Sequence, residues 1–178
     1  MSKAVLISIQ PKWCEKIANG EKNVEVRKTR PRLEAPFKCY IYETQGPTNT
    51  PWVDEDGHMI FKGRGMVIGE FICDRIDKIV PAYDQYGIYD VDDDYVEQAC
   101  LAHGELWHYG NGRTLYGWYI SSLMIYCAPR PITDFQGPCV KGLYCESCAM
   151  HSENLERCGN AALWLKRAPQ SWCYVEEL

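Results

Sequence analysis

The sequence predicts an α+β fold, a small mixed β-barrel with short helices and a cysteine-rich insert. Three observations lead there. Apolar or alternating runs of strand length recur along the chain. A helical stretch bracketed by proline and glycine separates the first two of them. Four cysteines then crowd an irregular segment with little apolar content. At 178 residues the chain has the size of one domain, residues 1–178, with insertions at about 45–65 and 129–160. Its 46% hydrophobic and 24% charged content is that of an ordinary globular protein. No apolar run reaches the length of about eighteen residues that a spanning helix needs.

Ala4–Ile9 is a compact apolar run and reads as a buried strand. Pro11 suits the first turn of a helix and Gly20 its C-terminal cap, while Trp13 and Ile17 give that helix one apolar face. From Lys22 to Lys28 the pattern becomes alternation, with Val24 and Val26 facing one way and Asn23, Glu25 and Arg27 the other. Parity makes Glu25 and Arg27 neighbours; it assigns no direction to Lys22, which lies at the bend. Phe37–Thr44 alternates again. A hairpin is expected from Trp52-Val53 and His58–Phe61, with Asp54-Glu55-Asp56-Gly57 at its tip. Met66–Ile79 reads as a long strand, Asp92–Leu106 as a second, acid-led helix, and Thr114–Tyr126 as an aromatic strand. Pro129–Asn160 is irregular, Ala161–Leu165 a short helical turn, and Ser171–Val175 a closing strand.

The net charge of −5 argues against indiscriminate binding to phosphate backbones. The charge is unevenly spread, however. Residues 12–38 hold eight bases and four acids, a net of +4, whereas residues 70–105 hold ten acids and two bases, a net of −8. Such a chain favours a local anion site over a long groove. The N-terminal apolar run is too short for a signal peptide, so a cytoplasmic protein is expected, its ten cysteines reduced or metal-bound.

The string Leu6-Ile7-Ser8-Ile9, Pro11-Lys12, Lys16-Ile17, Gly20-Glu21-Lys22, Val24-Glu25, Arg27-Lys28 resembles the ASCH (activating signal cointegrator homology) family, whose signature is a G-x-K-x-x-E-x-R turn and strand. Val67–Phe71, Leu115–Ile120 and Pro169–Val175 fit the same family. The resemblance covers residues 4–127 and about the last fifteen. The cysteine-rich insert is similar to those of phage and Gram-positive bacterial members, which implies phage or prophage origin. The resemblance implies a PUA-like barrel that binds RNA or a modified nucleotide beside the first helix, with Lys22, Glu25 and Arg27 in the signature positions. Arg27 can fork onto a phosphate or base edge, and Glu25 can accept from an exocyclic amine or hold Arg27 in place. Lys12 and Lys28 lie near enough to join them, and Tyr40, Tyr42 or Tyr119 can offer a stacking face to an unpaired base. The plainer alternative is a partly exposed Glu25–Arg27 pair, worth about 0–1 kcal/mol.

Some relatives resemble amidohydrolases that act on acylated cytidine through a lysine, a threonine and a glutamate. Here Lys22 fits, but Glu25 stands where the threonine is needed, and a carboxylate cannot replace that hydroxyl without changing the mechanism. Others resemble metal-independent ribonucleases of single-stranded RNA. In that role Lys22 and Glu25 are the candidate catalytic pair, Glu25 as base and Lys22, with Arg27, stabilising charge on the phosphorane. His58, His103 and His108 read as surface or packing residues. Tyr109–Arg113 lacks the strand before it and the Lys-Ser/Thr ending of a P-loop, and is a turn. Asp90, Asp92, Asp93 and Asp94 read as a helix cap or a solvated face. Three functions compete: single-stranded RNA binding, RNA cleavage in the same cleft, and docking of a protein partner on the acidic surface.

Cys139, Cys145, Cys148 and Cys158 are spaced x(5), x(2) and x(9). Cys145-Glu146-Ser147-Cys148 is a knuckle that lets two thiolates grip one Zn²⁺, with Cys139 and Cys158 completing a tetrahedral site and His151 a competing fourth ligand. A segment so poor in apolar residues gains its folding energy from the metal, and four thiolates leave no open position for catalysis. Cys14, Cys39, Cys73, Cys100, Cys127 and Cys173 fall in strand or helix patterns and read as core. Elemental analysis of the purified protein should find about one zinc per chain, and a Cys145→Ser, Cys148→Ser variant should lose it.

Overall fold

The computed structural model describes residues 3–46, 52–53, 59–60, 63–82, 88–139 and 158–178. The elements in chain order are β1 (Lys3–Ile9), α1 (Pro11–Ala18), β2 (Val24–Arg27), β3 (Phe37–Glu43), β4 (Trp52–Val53), β5 (Met59–Ile60), β6 (Met66–Ile79), α2 (Asp93–Ala99), α3 (His103–Gly110), β7 (Leu115–Arg130) and β8 (Trp172–Glu176). Short 3-10 turns follow β7 at Ile132–Asp134 and precede β8 at Ala161–Leu163. β4 and β5 pair as the expected hairpin, whose tip and His58 lie outside the described residues.

Six strands form one sheet in the order β2-β7-β6-β3-β1-β8, antiparallel throughout except where β1 runs parallel to β3. Strand parity separates its two faces. Val5, Ile7, Ile9, Cys39, Ile41, Phe71, Cys73 and Trp118 pack with Cys14 and Ile17 of α1. On the other face Ala4, Leu6, Tyr40, Val67 and Val175 are covered by Phe135 from the segment after β7. β1 is thus buried on both sides, the reason its sequence is an unbroken apolar run rather than an alternating one. A third cluster ties Val24 and Val26 of β2 to Tyr95, Val96 and Ala99 of α2 and Leu106 of α3.

Among the described residues the backbone ladder does not close into the expected barrel, since β2 and β8 remain its edges. Side chains bridge the seam instead. Arg27 Nη2 donates to the Ser8 carbonyl at 2.5 Å, Trp172 Nε1 to Thr29 Oγ1 at 3.0 Å, and the Arg32 amide to the Tyr174 hydroxyl at 2.7 Å. β2 is only four residues long, and its ladder is on β7.

Three other expectations are corrected. The helix over Asp92–Leu106 is two helices, because Cys100 takes a left-handed backbone (φ 52°) and caps α2 through amide bonds to Glu97 and Val96. β7 continues to Arg130, into the stretch read as irregular. Cys127, on that extension and beyond the reach of β2, is exposed rather than core. Cys145, Cys148 and His151 lie outside the described residues; Cys139 is half-buried and Cys158 buried at the ends of the insert. Its base is clamped where Gly137 N meets Leu163 O at 2.8 Å and Gln136 Nε2 meets Cys158 O at 2.6 Å. Among the described residues no cluster of His, Cys, Asp or Glu is placed to hold a metal, and no helix is long and apolar enough to cross a membrane.

Trp118 is fully buried, its ring 6.0 Å from both Phe37 and Trp172. Trp118→Ala should lower stability by about 3–5 kcal/mol in urea unfolding, the usual consequence of removing a large core aromatic.

Candidate functional site

The charged signature residues converge on one floor. Strand alternation sets Glu25 and Arg27 on the same face, and Arg27 Nη2 meets Glu25 Oε1 at 3.0 Å. The direction of Lys22 is decided by α1. After its last turn the chain folds back, with the amides of Glu21 and Lys22 both bonding to Lys16 O, and the Lys22 side chain turns inward. Its ammonium lies 3.4 Å from Glu25 Oε2 and donates to Ala99 O at 2.5 Å. Ala99 ends α2, so its carbonyl has lost its helical partner and carries the negative end of the helix dipole. The break at Cys100 is what makes that acceptor available.

The side chains of Lys22, Glu25 and Arg27 are 2%, 7% and 11% exposed. One carboxylate held by two cations leaves a net charge of +1. The donors are not used up. Lys22 has three N–H groups for two acceptors, and Arg27 Nε is enclosed without a hydrogen-bond partner among the described residues.

Above this floor opens a pocket of about 570 Å³ lined by Ser8, Gln10, Trp13, Lys22, Glu25 and Arg27 on one side and Leu101, Gly104, Glu105, His108 and Tyr109 on the other. That volume falls in the range of about 300–1,000 Å³ typical of small-ligand sites. Two aromatic rings with attendant cations mark its walls. Lys12 Nζ lies 4.6 Å and Lys22 Nζ 5.0 Å from the Trp13 ring centre, and Lys28 Nζ lies 4.7 Å from that of Tyr109. Burial raises the Tyr109 phenol pKa, with Arg27 opposing and Glu25 adding to the effect, so the ring stays a neutral donor. Glu105 is committed to α3, accepting from the Ala102 amide at 2.7 Å.

The tyrosines expected to stack do not reach this pocket. Tyr40 is fully buried on the opposite face against Phe135, its hydroxyl accepting from the Leu178 amide at 2.8 Å, and Tyr42 packs beside that cluster. Tyr119 packs on Tyr95 and lies 3.9 Å from the Arg75 guanidinium. Trp13 and Tyr109 hold the positions intended for them. His103 contacts Asp93 at 3.1 Å and does not line the pocket, while His108, read from sequence as a surface or packing residue, is exposed and lines it. Asp92 caps α2 by accepting from the Tyr95 amide at 2.8 Å, which accounts for one acid of that run; Asp90, Asp93 and Asp94 are exposed.

The chain is similar to the crystal structure of ASCH from Zymomonas mobilis, with a TM-score of 0.55 and 17% identity over 98% of this chain and 88% of that one. A serine-to-alanine mutant of the same protein gives a TM-score of 0.51 and 14% identity over 98% and 89%. This chain has the ASCH fold. No protein-family model matches it, and no curated protein does. That likeness concerns the fold; the chemistry of the cleft rests on this chain's own residues.

Removing Glu25 leaves two buried cations facing each other, whereas removing Lys22 leaves Glu25 still paired with Arg27. Glu25→Ala should therefore cost about 3–5 kcal/mol in urea unfolding and Lys22→Met clearly less. Equal losses would mean that the three charges do not act as one group.

Proposed function

We propose that this protein binds single-stranded RNA and seats one unpaired nucleotide in the pocket beneath Trp13 and Tyr109. The observation that carries this reading is the floor itself, a buried, net-positive set of donors below two aromatic rings. A buried ionic trio is seldom a gain in stability over apolar packing. Its value lies in the charge that it presents. The net-positive floor of Lys22 and Arg27 suits the carbonyls of a base edge or a phosphate oxygen, while Trp13 or Tyr109 suits the face of the base. Lys12 and Lys28, seated on those rings, neutralise flanking phosphates.

Binding is favoured over cleavage in this reading because both oxygens of Glu25 are already engaged by cations, which leaves it poorly placed to take a proton from a 2′-hydroxyl. A cleavage mechanism at this pocket would have to draw on His108 instead.

In a mobility-shift assay with a single-stranded oligoribonucleotide, Trp13→Ala and Arg27→Ala should each weaken binding, Trp13→Ala by about 1–3 kcal/mol if it supplies a stacking face. Full affinity in both variants would reject the pocket.

A further inference from the structure

A second cleft, of about 750 Å³, lies past the end of β2 and is lined by residues 30–35 together with Asp74, Arg75 and Ile76. Its cations differ in their commitments. Arg75 is held by Asp77 at 3.0 Å and stacked over Tyr119. Arg30 and Arg32 are exposed, and among the described residues neither guanidinium is in ion-pair contact with a carboxylate; Arg30 only rests 5.9 Å from the Tyr116 ring centre. Glu34 and Asp74 share the lining, so the five charged side chains sum to +1 in a protein of net charge −5.

The loop that carries these arginines is tied down. Thr29 accepts from Trp172 Nε1 at 3.0 Å, the Arg32 amide donates to Tyr174 Oη at 2.7 Å, and Pro31 between them is buried. Both tethers come from β8, on the far edge of the sheet. The backbone of the loop is therefore held before any ligand arrives, and less ordering entropy is lost on binding. Exposed arginines on a loop anchored at two points are the arrangement expected of a binding surface.

The same short segment reaches both clefts. Arg27 lies in the floor of the first pocket, Lys28 over Tyr109 in its wall, and Arg30 and Arg32 line the second, with no acid between them. From Lys28 to Arg32 the chain spans at most about 14 Å. One short single strand can touch both ends of it.

We infer that Arg30 and Arg32 form a backbone-phosphate site for the RNA strand as it leaves the nucleotide pocket, so that the segment 27–32 is a basic track joining the two clefts. The inference rests on the RNA-binding reading of that pocket and adds to it the direction in which the strand runs. The pocket then reads one nucleotide, and the arginine cleft adds affinity without regard to sequence.

The test compares a fluorescein-labelled oligouridylate of about eight nucleotides with uridine monophosphate, across a salt series, on the full chain. In an Arg30→Gln, Arg32→Gln variant whose thermal melting matches the parent protein, the oligonucleotide should bind more weakly. Its log K against log salt slope should flatten by about 1.4, at roughly 0.7 per phosphate contact on a single strand. Uridine monophosphate affinity should not change. An unaltered slope and affinity for the oligonucleotide, with Arg27→Ala still weakening binding of both probes, would overturn the track and leave the pocket standing. Equal weakening of both probes in the double variant would also overturn it, since the arginines would then act on the pocket. If the parent protein binds neither probe, the pocket reading fails and the track fails with it.

Discussion

The Glu25 carboxylate, lying between two buried cations, is the constraint on which the functional end of this molecule depends. Lys22 and Arg27 can leave water only because Glu25 meets both, at 3.4 and 3.0 Å. Each cation then makes one further bond to a backbone carbonyl on a different element. Lys22 reaches the end of α2, and Arg27 reaches Ser8 on β1 across the open seam of the sheet. One acid thereby locates a helix end, an edge strand and a central strand relative to one another. The pocket is the space those three leave.

That arrangement also explains why the sheet needs no closed ladder. The edges β2 and β8 lack backbone pairing to each other, yet Arg27, Trp172 and Tyr174 carry hydrogen bonds over the gap. A seam made of side chains exposes polar groups that a closed ladder would consume. The segment 27–32 reaches both clefts, with Arg27 lining one and Arg30 and Arg32 the other. Charge reinforces the asymmetry: the charged residues of this segment are all basic in a protein of net charge −5, a local contrast that favours an anion there.

Much of the fold was legible because its signals are local. The apolar run of β1, the alternation of β2 and β3, and the length of β6 follow from period and parity, and each strand stands where those patterns set it. The break after α2 was not legible. Cys100 is neither glycine nor proline, and its left-handed backbone satisfies a capping need that no local residue advertises. The exposure of Cys127 was hidden for a related reason: its strand outruns its neighbour, a fact about two elements and not one.

The site divides along the same line. The sequence by itself determined the trio Lys22, Glu25 and Arg27 and the adjacency of the last two, because neighbours within one strand are set by a two-residue repeat. Only the tertiary structure decided that Lys22 turns inward, since its acceptor, Ala99, lies 77 residues away. It alone exchanged Tyr40, Tyr42 and Tyr119 for Trp13 and Tyr109 as the aromatic rings of the pocket. Which ring faces a cleft depends on how sheet and helices stack, and stacking is a long-range balance of packing that leaves no periodic mark in the chain.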